Sequence, residues 1–433
     1  MLVLQHIRAS RGIFYIIFMQ EKTIAVVGLG YVGLPLALLA ERKGYFVLGI
    51  DIDKKKIETL EGGVSPFLDE EVSRHLKEAK HIQFTSDFSA ISNAEVVVIC
   101  VPTPVYENHM PNLEPVIGSS EGIAKYLKKG QLVILESTVN PGVSETVVLP
   151  ILEKASGLKA GVDFSLAHCP ERINPGDKKW NVENINRVVG CTDETGLERT
   201  AKFYESIITG SVKRMSTIKA AEAVKVVENS FRDINIAFVN ELSRSFTRLG
   251  IDVVEVIDGA ATKPFAFMAH YPGCGVGGHC IPVDPYYLIE YAKENGFDHD
   301  FLILARRINN NMPEFTTERL QDALNMHSKA MKGSVVAVLG LAYKPNIDDC
   351  RESPSFEIIK HLEEKGVEVR TFDPFVLNRS THKSLDEALD GVDAVVIATA
   401  HSVFKALTPN DLLSRGICIV TDGRNCLDKK VFM

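Results

Sequence analysis

The segment KTIAVVGLGYVGLPLALLAERKGYFVLGIDID, residues 22–53, constrains the fold more than any other stretch of the chain. Thr23–Val27 is an unbroken apolar run rich in β-branched residues, the pattern of a parallel strand covered on both faces. A glycine turn follows. A helical stretch then runs from about Val32 to Lys43 and stops at Gly44, and a second strand, Phe46–Ile50, ends on Asp51. In Gly28-Leu29-Gly30-Tyr31-Val32-Gly33 the first glycine suits a tight turn, the second lets a pyrophosphate approach the backbone, and the third lets the helix pack on the strand. The helix N-terminus then faces the phosphates. Asp51 stands 18 residues after Gly33, where an acid hydrogen-bonds a ribose 2′-hydroxyl and repels a 2′-phosphate. The cofactor implied is NAD, with Gly28, Gly30, Tyr31, Val32, Gly33 and Asp51 as candidate contacts.

Further strands are predicted at 95–101, 131–138, 164–171 and 186–191, with helices between them, which makes a doubly wound parallel sheet. From Ser216 to Leu249 there is neither Gly nor Pro, and the segment predicts one long helix lying between domains or against a partner chain. After Gly333 a second βαβ series begins with SVVAVLGLAY (334–343). The fold class is therefore α/β, with two Rossmann-like doubly wound parallel-sheet domains joined by a long central helix. The expected division is an N-terminal extension (1–20), an NAD-binding domain (21–213), a helical connector for catalysis and dimerisation (214–320) and a ligand-binding Rossmann-like domain (321–433). A chain of 433 residues accommodates this at roughly 150 residues per domain.

Net charge is −8, which argues against a nucleic-acid binder, since phosphate contacts need a surplus of Lys and Arg. The eight cysteines are scattered without a C-x-x-C pair, so reduced thiols and a cytoplasmic location are expected, with no bound metal. The apolar run near the N-terminus, residues 12–19, falls short of the ~20 residues that span a bilayer. It is taken as a loosely attached extension, with Met19 as a possible true start and no membrane association.

Two stretches remain. GVGGHCIPVDP (275–285) sets His279 and Cys280 behind a run of glycines. From the residues alone Cys280 can be a nucleophile, a core thiol or a redox thiol. GLAYKPNIDDCRESP (340–354) opens the second α/β domain with Lys344 and Arg351 in place of the glycine fingerprint. Two cations beyond a strand's C-terminal end suit a phosphate-bearing ligand, and equally suit a solvated loop.

Together GLGYVGLPLA, VPTP, ESTVNPG, CPERINPG, VENSFRDINIAFVNE, GVGGHCIPVDPYYL and GLAYKPNIDDCRESP resemble, in order, the UDP-glucose/GDP-mannose dehydrogenase family of nucleotide-sugar dehydrogenases. The resemblance covers about residues 21–430. It implies NAD-dependent four-electron oxidation of C6 of a nucleotide-linked hexose. PERINPG, FRDINIAFVNE, KPFAFMAHYPG and KPNIDDCRESP look most like the enzymes acting on UDP-N-acetylhexosamines, with the glucosamine epimer favoured, then the mannosamine epimer, then UDP-glucose. Where the UDP-glucose enzymes tend to carry a second glutamate, four residues after Glu171, this chain has Pro175.

An aldehyde has no hydroxyl carbon from which a second hydride can leave. Addition of a thiol restores one, and the thioester formed is then hydrolysed. The resemblance puts Cys280 in that role, with His279 as a neighbour. It makes Lys225 a stabiliser of oxyanions, and pairs Asn229 with Asp284 to position a water or a proton. Thr138 and Glu171 handle water and polarise the substrate, while Thr103, Thr138 and Arg351 contact the cofactor. Glu171, Arg172, Lys225, Asn229, Gly277 and Lys344 bind the UDP-sugar. A homodimer or higher homo-oligomer is expected along the long helix. The readings from other classes are a non-catalytic dinucleotide-binding sensor and a two-electron hydroxy-acid dehydrogenase; the latter needs neither Cys280 nor a phosphate-binding second domain.

Overall fold

The computed structural model describes residues 3–8, 13–18, 22–67, 69–106, 111–173, 179–278 and 280–432. His279 and Pro175 lie outside these residues, as does Met19. The chain forms two compact units, Met1–Tyr106 with Pro111–Lys225, and Glu107–Met110 with Val226–Met433. The division falls inside the long helix, Ile218–Leu249, and the helices that follow it belong to the second unit.

In the first unit β1 (Val3–Arg8) and β2 (Ile13–Phe18) form an antiparallel hairpin with Val3 opposite Phe18. The main sheet contains β3 (Thr23–Val27), β4 (Phe46–Ile50), β5 (Ile82–Thr85), β6 (Val96–Ile99), β7 (Leu132–Leu135), β8 (Ser165–His168), β9 (Arg187–Cys191) and β10 (Val212–Arg214). Their order is β10-β9-β8-β7-β6-β3-β4-β5. The chain leaves β3 for β4 on one side and returns to β6 on the other, so the strand order reverses at β3, where ligands bind in such sheets. Alternate residues of β3 serve opposite faces: Ile24 and Val26 join one buried cluster, Ala25 and Val27 the other. Such complete burial is worth about 1.5–3 kcal/mol for each large aliphatic side chain, which explains the unbroken apolar runs.

One junction departs from the all-parallel expectation. β9 runs antiparallel to β8, with Ala167 opposite Cys191. A parallel return needs a crossover, most often a helix, and the described residues of the β8–β9 connection contain none. β10 is again parallel to β9 after the helix Glu194–Ile207.

The second unit carries β11 (Val335–Leu339), β12 (Glu368–Phe372), β13 (Ala394–Ile397) and β14 (Val420–Asp422) in the order β12-β11-β13-β14, all parallel. Val336 and Val338 face one buried cluster and Ala337 and Leu339 the other. Within this unit the long helix is tied to the helix Asp300–Asn310 by the buried Asp233, which bonds Arg306 at 2.6 Å and Asn309 at 2.8 Å. Among the described residues no helix is long and apolar enough to cross a membrane.

Candidate active site

The glycine turn of the first unit has the geometry the fingerprint requires. Gly28 has φ +93°, donates to Ile50 O at 2.7 Å, and a Cβ there would meet Cys100 O at 2.7 Å. A Cβ on Gly33 would strike Gly28 O at 1.9 Å, so this glycine lets the helix Gly33–Arg42 start against the turn. A Cβ on Gly30 would meet nothing within 4 Å. The outer side of the turn is thus open where a pyrophosphate would lie, and the site fits NAD. Asp51 accepts from Leu29 N at 2.9 Å and from Lys56 Nζ at 2.7 Å. Sequence reasoning missed Lys56, whose partner lies just beyond its own helix start. Tyr31 stacks on Phe67 with ring centroids 4.3 Å apart, Val32 directly precedes the helix, and Thr103 is buried beyond β6.

Thr138 and Glu171 each lie three residues beyond a strand end rather than within the strand, because β7 stops at Leu135 and β8 at His168. The Thr138 loop is held from the long helix. Buried Glu222 accepts from Gly142 N and, at 2.8 Å, from Ser144 N. Lys225, buried, follows one turn later on the same helix. Glu171 accepts from the backbone N–H groups of Arg172 and Ile173 and from Arg187 Nη1 at 3.0 Å. Arg172 in turn donates to Asn186 O at 2.8 Å. Arg187 is fully buried, and its Nη1 also stands 3.6 Å from Glu136, whose carboxylate accepts the Tyr204 hydroxyl. Burial pushes the Glu136 carboxyl up to about 7 against the pull of Arg187, and pushes the Cys100 and Cys169 thiols up as well. Burial also lowers His168 to about 3.

In the second unit Cys280 is exposed, whereas Cys274 is buried. Cys280 O accepts from Val283 N at 3.1 Å and Asp284 N at 2.8 Å, a turn that leads into the helix Asp284–Glu294. Asp284, at the start of that helix, is buried and accepts from Asn229 Nδ2 at 2.5 Å. The structure therefore joins three of the predicted residues, Asn229, Cys280 and Asp284. The cysteine loop also sits against the 340–354 turn. Gly278 N donates to Arg351 O at 3.0 Å, and a Cβ on Gly277 would lie 2.6 Å from Tyr343 Cβ. The Arg351 side chain forms a two-pronged pair with Asp349, at 2.9 and 2.6 Å, and Lys344 is half-buried.

The 340–346 turn rests on an acid that sequence reasoning missed. Asp373, fully buried after β12, accepts from Leu341 N at 2.7 Å, Ala342 N at 2.8 Å and His401 Nε2 at 3.0 Å. His401 Nδ1 accepts from Asn346 N at 2.8 Å, so the ring is fixed with its proton on Nε2. The signal was present: G-L-[GA]-Y opens both turns, and an Asp follows the next strand in both.

A glycine turn open to a pyrophosphate, an acid beyond the next strand and a second doubly wound sheet place the chain among dinucleotide-binding α/β proteins. Three consecutive segments match the UDP-glucose/GDP-mannose dehydrogenase family: its NAD binding domain over residues 22–208, its central domain over 219–311 and its UDP binding domain over 337–429. The chain is 39% identical over 407 residues to UDP-N-acetyl-D-glucosamine 6-dehydrogenase of Pseudomonas aeruginosa, covering 92% of this chain and 95% of that protein. It is 39% identical over 408 residues to UDP-N-acetyl-D-mannosamine dehydrogenase of Pyrococcus horikoshii, covering 93% and 96%. A solved UDP-D-ManNAc dehydrogenase structure from Pyrococcus horikoshii matches with a TM-score of 0.89 at 37% identity, over 94% of this chain and 96% of that one. The chain belongs to the UDP-glucose/GDP-mannose dehydrogenase family and is an NAD-dependent nucleotide-sugar dehydrogenase.

Proposed function

We propose that this protein oxidises C6 of a UDP-N-acetylhexosamine to the uronate, with the N-acetylglucosamine epimer as substrate, through a covalent adduct on Cys280. The observation that carries this reading is the exposed Cys280, on a glycine loop bonded to the 340–354 turn and followed by the buried Asp284–Asn229 pair. Bound NAD supplies the hydride acceptor for each of the two oxidations. The Asn229–Asp284 pair orders a water that takes the O6 proton as the alcohol becomes an aldehyde. The Cys280 thiolate then adds to C6, forming the C–S bond, and the oxygen takes a proton to give a thiohemiacetal. Lys225 stabilises the developing oxyanion. Loss of a proton from O6 and of a second hydride from C6 leaves a thioester. Water attacks its carbonyl, the C–S bond breaks, and the thiolate returns as the carboxylate forms. Glu171 and Thr138 hold that water; Thr103 and Arg351 contact the cofactor, and Arg172, Gly277 and Lys344 the UDP-sugar.

Cys280→Ala tests the assignment. Wild-type protein should release two NADH per UDP-sugar with no free aldehyde. The variant should yield no uronate and at most one NADH per site, a loss of roughly 10³-fold or more. Uronate formation at a near wild-type rate would return Cys280 to the status of an ordinary thiol. NADH production with the glucosamine, mannosamine and glucose UDP-sugars assigns the epimer; a higher kcat/KM for the mannosamine sugar overturns the preference stated here.

A homodimer is the proposed assembly, in the cytoplasm. Val227, Phe231 and Phe238 are exposed along one stripe of the long helix, and Phe265 and Met268 line the same groove. Sedimentation equilibrium checks it, and a monomer at micromolar concentration would refute it.

A further inference from the structure

Two carboxylates share one buried cation at the C-terminal edge of the first sheet. Glu136 follows β7, Glu171 lies beyond β8, and Arg187 opens β9. Arg187 Nη1 is 3.0 Å from Glu171 Oε2 and 3.6 Å from Glu136 Oε2. Among the described residues the buried Nε and Nη2 groups of Arg187 have no hydrogen-bond partner, and the guanidinium reaches Glu171 through Nη1. Two ionised carboxylates against one guanidinium leave an unbalanced charge away from water, which a protein relieves by protonating one of them. The surroundings choose which. Glu171 accepts two backbone N–H groups, from Arg172 and Ile173, which fix its carboxylate at the sheet edge. Glu136 is packed among Arg187, Glu171, the Tyr204 hydroxyl of the helix Glu194–Ile207, and the Cys100 thiol 3.9 Å away at the end of β6. Burial pushes it up to about 7, with Arg187 opposing, Glu171 adding, and the bonds from Tyr204 and Cys100 opposing.

We propose that Glu136 is a positioning residue for the oxidation: its proton decides whether Arg187 serves Glu171 alone or is divided between two carboxylates, and so how firmly the Glu171 carboxylate is held at the sheet edge. The inference rests on the assignment of Glu171 to the reaction. When Glu136 is neutral, the whole charge of Arg187 belongs to Glu171. When Glu136 ionises, it draws Arg187 towards itself and weakens that hold. Because Glu136 acts through Arg187 on Glu171, the effect is expected on kcat rather than on KM for NAD.

The test compares pH profiles of kcat for wild-type protein and Glu136→Gln, which keeps the side-chain shape without a titrating proton. Groups common to both proteins cancel in the ratio. The ratio of wild type to variant should fall about threefold or more between about pH 6 and pH 8, with its midpoint near 7. A ratio independent of pH overturns the proposal. Tyr204→Phe removes a bond that favours ionised Glu136, so it should move the wild-type break to higher pH; an unmoved break also overturns it. Infrared difference spectra read the proton without turnover: wild-type protein should lose a protonated-carboxyl band across this range, and its absence refutes the proposal outright. Glu171→Gln tests the underlying assignment separately. Wild-type activity in that variant would remove Glu171 from the reaction, and with it the function proposed for Glu136, even where the infrared band titrates as expected.

Discussion

Gly28 and Gly340 each close a central parallel strand with nearly the same backbone, φ +93° and +96°. Each donates to the carbonyl that ends the neighbouring strand, Gly28 to Ile50 at 2.7 Å and Gly340 to Phe372 at 2.9 Å. In each turn the next residue, Leu29 or Leu341, donates to the aspartate beyond that strand, Asp51 or Asp373. The turns part company one residue later. Gly30 faces open space, while its counterpart Ala342 is buried and gives its N–H to Asp373. Gly33 starts a helix at once, while Pro345 stands in its place and the helix Pro354–Glu364 begins later. The partner of Asp51 is Lys56, on a flexible stem; that of Asp373 is the fully buried ring of His401. An acid beyond the second strand is thus first a clamp on the turn. Only in the first turn does a bare glycine leave open space beside the acid.

The two turns should differ most in their dependence on Asp373. Asp373→Asn places an amide where one carboxylate oxygen accepts three donors, and should cost about 3 kcal/mol in chemical denaturation. A loss no larger than that of Asp51→Asn would show that the two acids are equivalent. Burial tends to raise the Asp373 carboxyl, but the His401 bond and the two backbone N–H groups outweigh it and hold it below its ordinary 3.8. A depressed carboxylate contributes stability above its unfolded pKa and loses it as pH falls through the folded value. The gap between wild type and Asp373→Asn should therefore be full above about pH 4 and close below it.

Asp51→Asn should act on choice of cofactor instead. Removing the carboxylate that repels a 2′-phosphate should lower the preference for NAD over NADP by about tenfold, ~1.4 kcal/mol. Comparable kcat/KM for the two cofactors in wild-type protein would deny Asp51 that role. The smallest effect is expected at Gly30. Gly30→Ala gives the first turn the residue the second already has. With open space around it, stability should stay within about 0.5 kcal/mol, while KM for NAD rises about fivefold. An unchanged KM would mean that the pyrophosphate does not approach there.

Features written in local pattern were legible in the sequence. The unbroken apolar strands, the glycine turn, Asp51 and the helix Ile218–Leu249 announce themselves within short windows. The reversal of β9 was not legible, because a five-residue apolar strand looks the same in either direction. Nor were the buried polar groups, whose partners are far apart along the chain: Asp233 with Arg306, Glu222 with the 142–144 loop, and Glu136 with Arg187. Arg187 could have been suspected, as a cation opening an otherwise buried strand. Asp284 with Asn229 was found only through family resemblance, since a helix-start acid and a mid-helix amide carry no sign of each other.

The bond from Gly278 N to Arg351 O fastens the cysteine loop to the turn that opens the second sheet, and both belong to the same compact unit, while the cofactor turn belongs to the other. On the proposed assignment, an enzyme that oxidises one carbon twice must exchange a spent cofactor for a fresh one while holding a half-oxidised product. On that assignment the covalent anchor and the nucleotide's resting place share one scaffold. The half-finished sugar is then leashed at two points to a body that need not let go when the cofactor leaves, so a reactive aldehyde has no opportunity to diffuse away between the two oxidations.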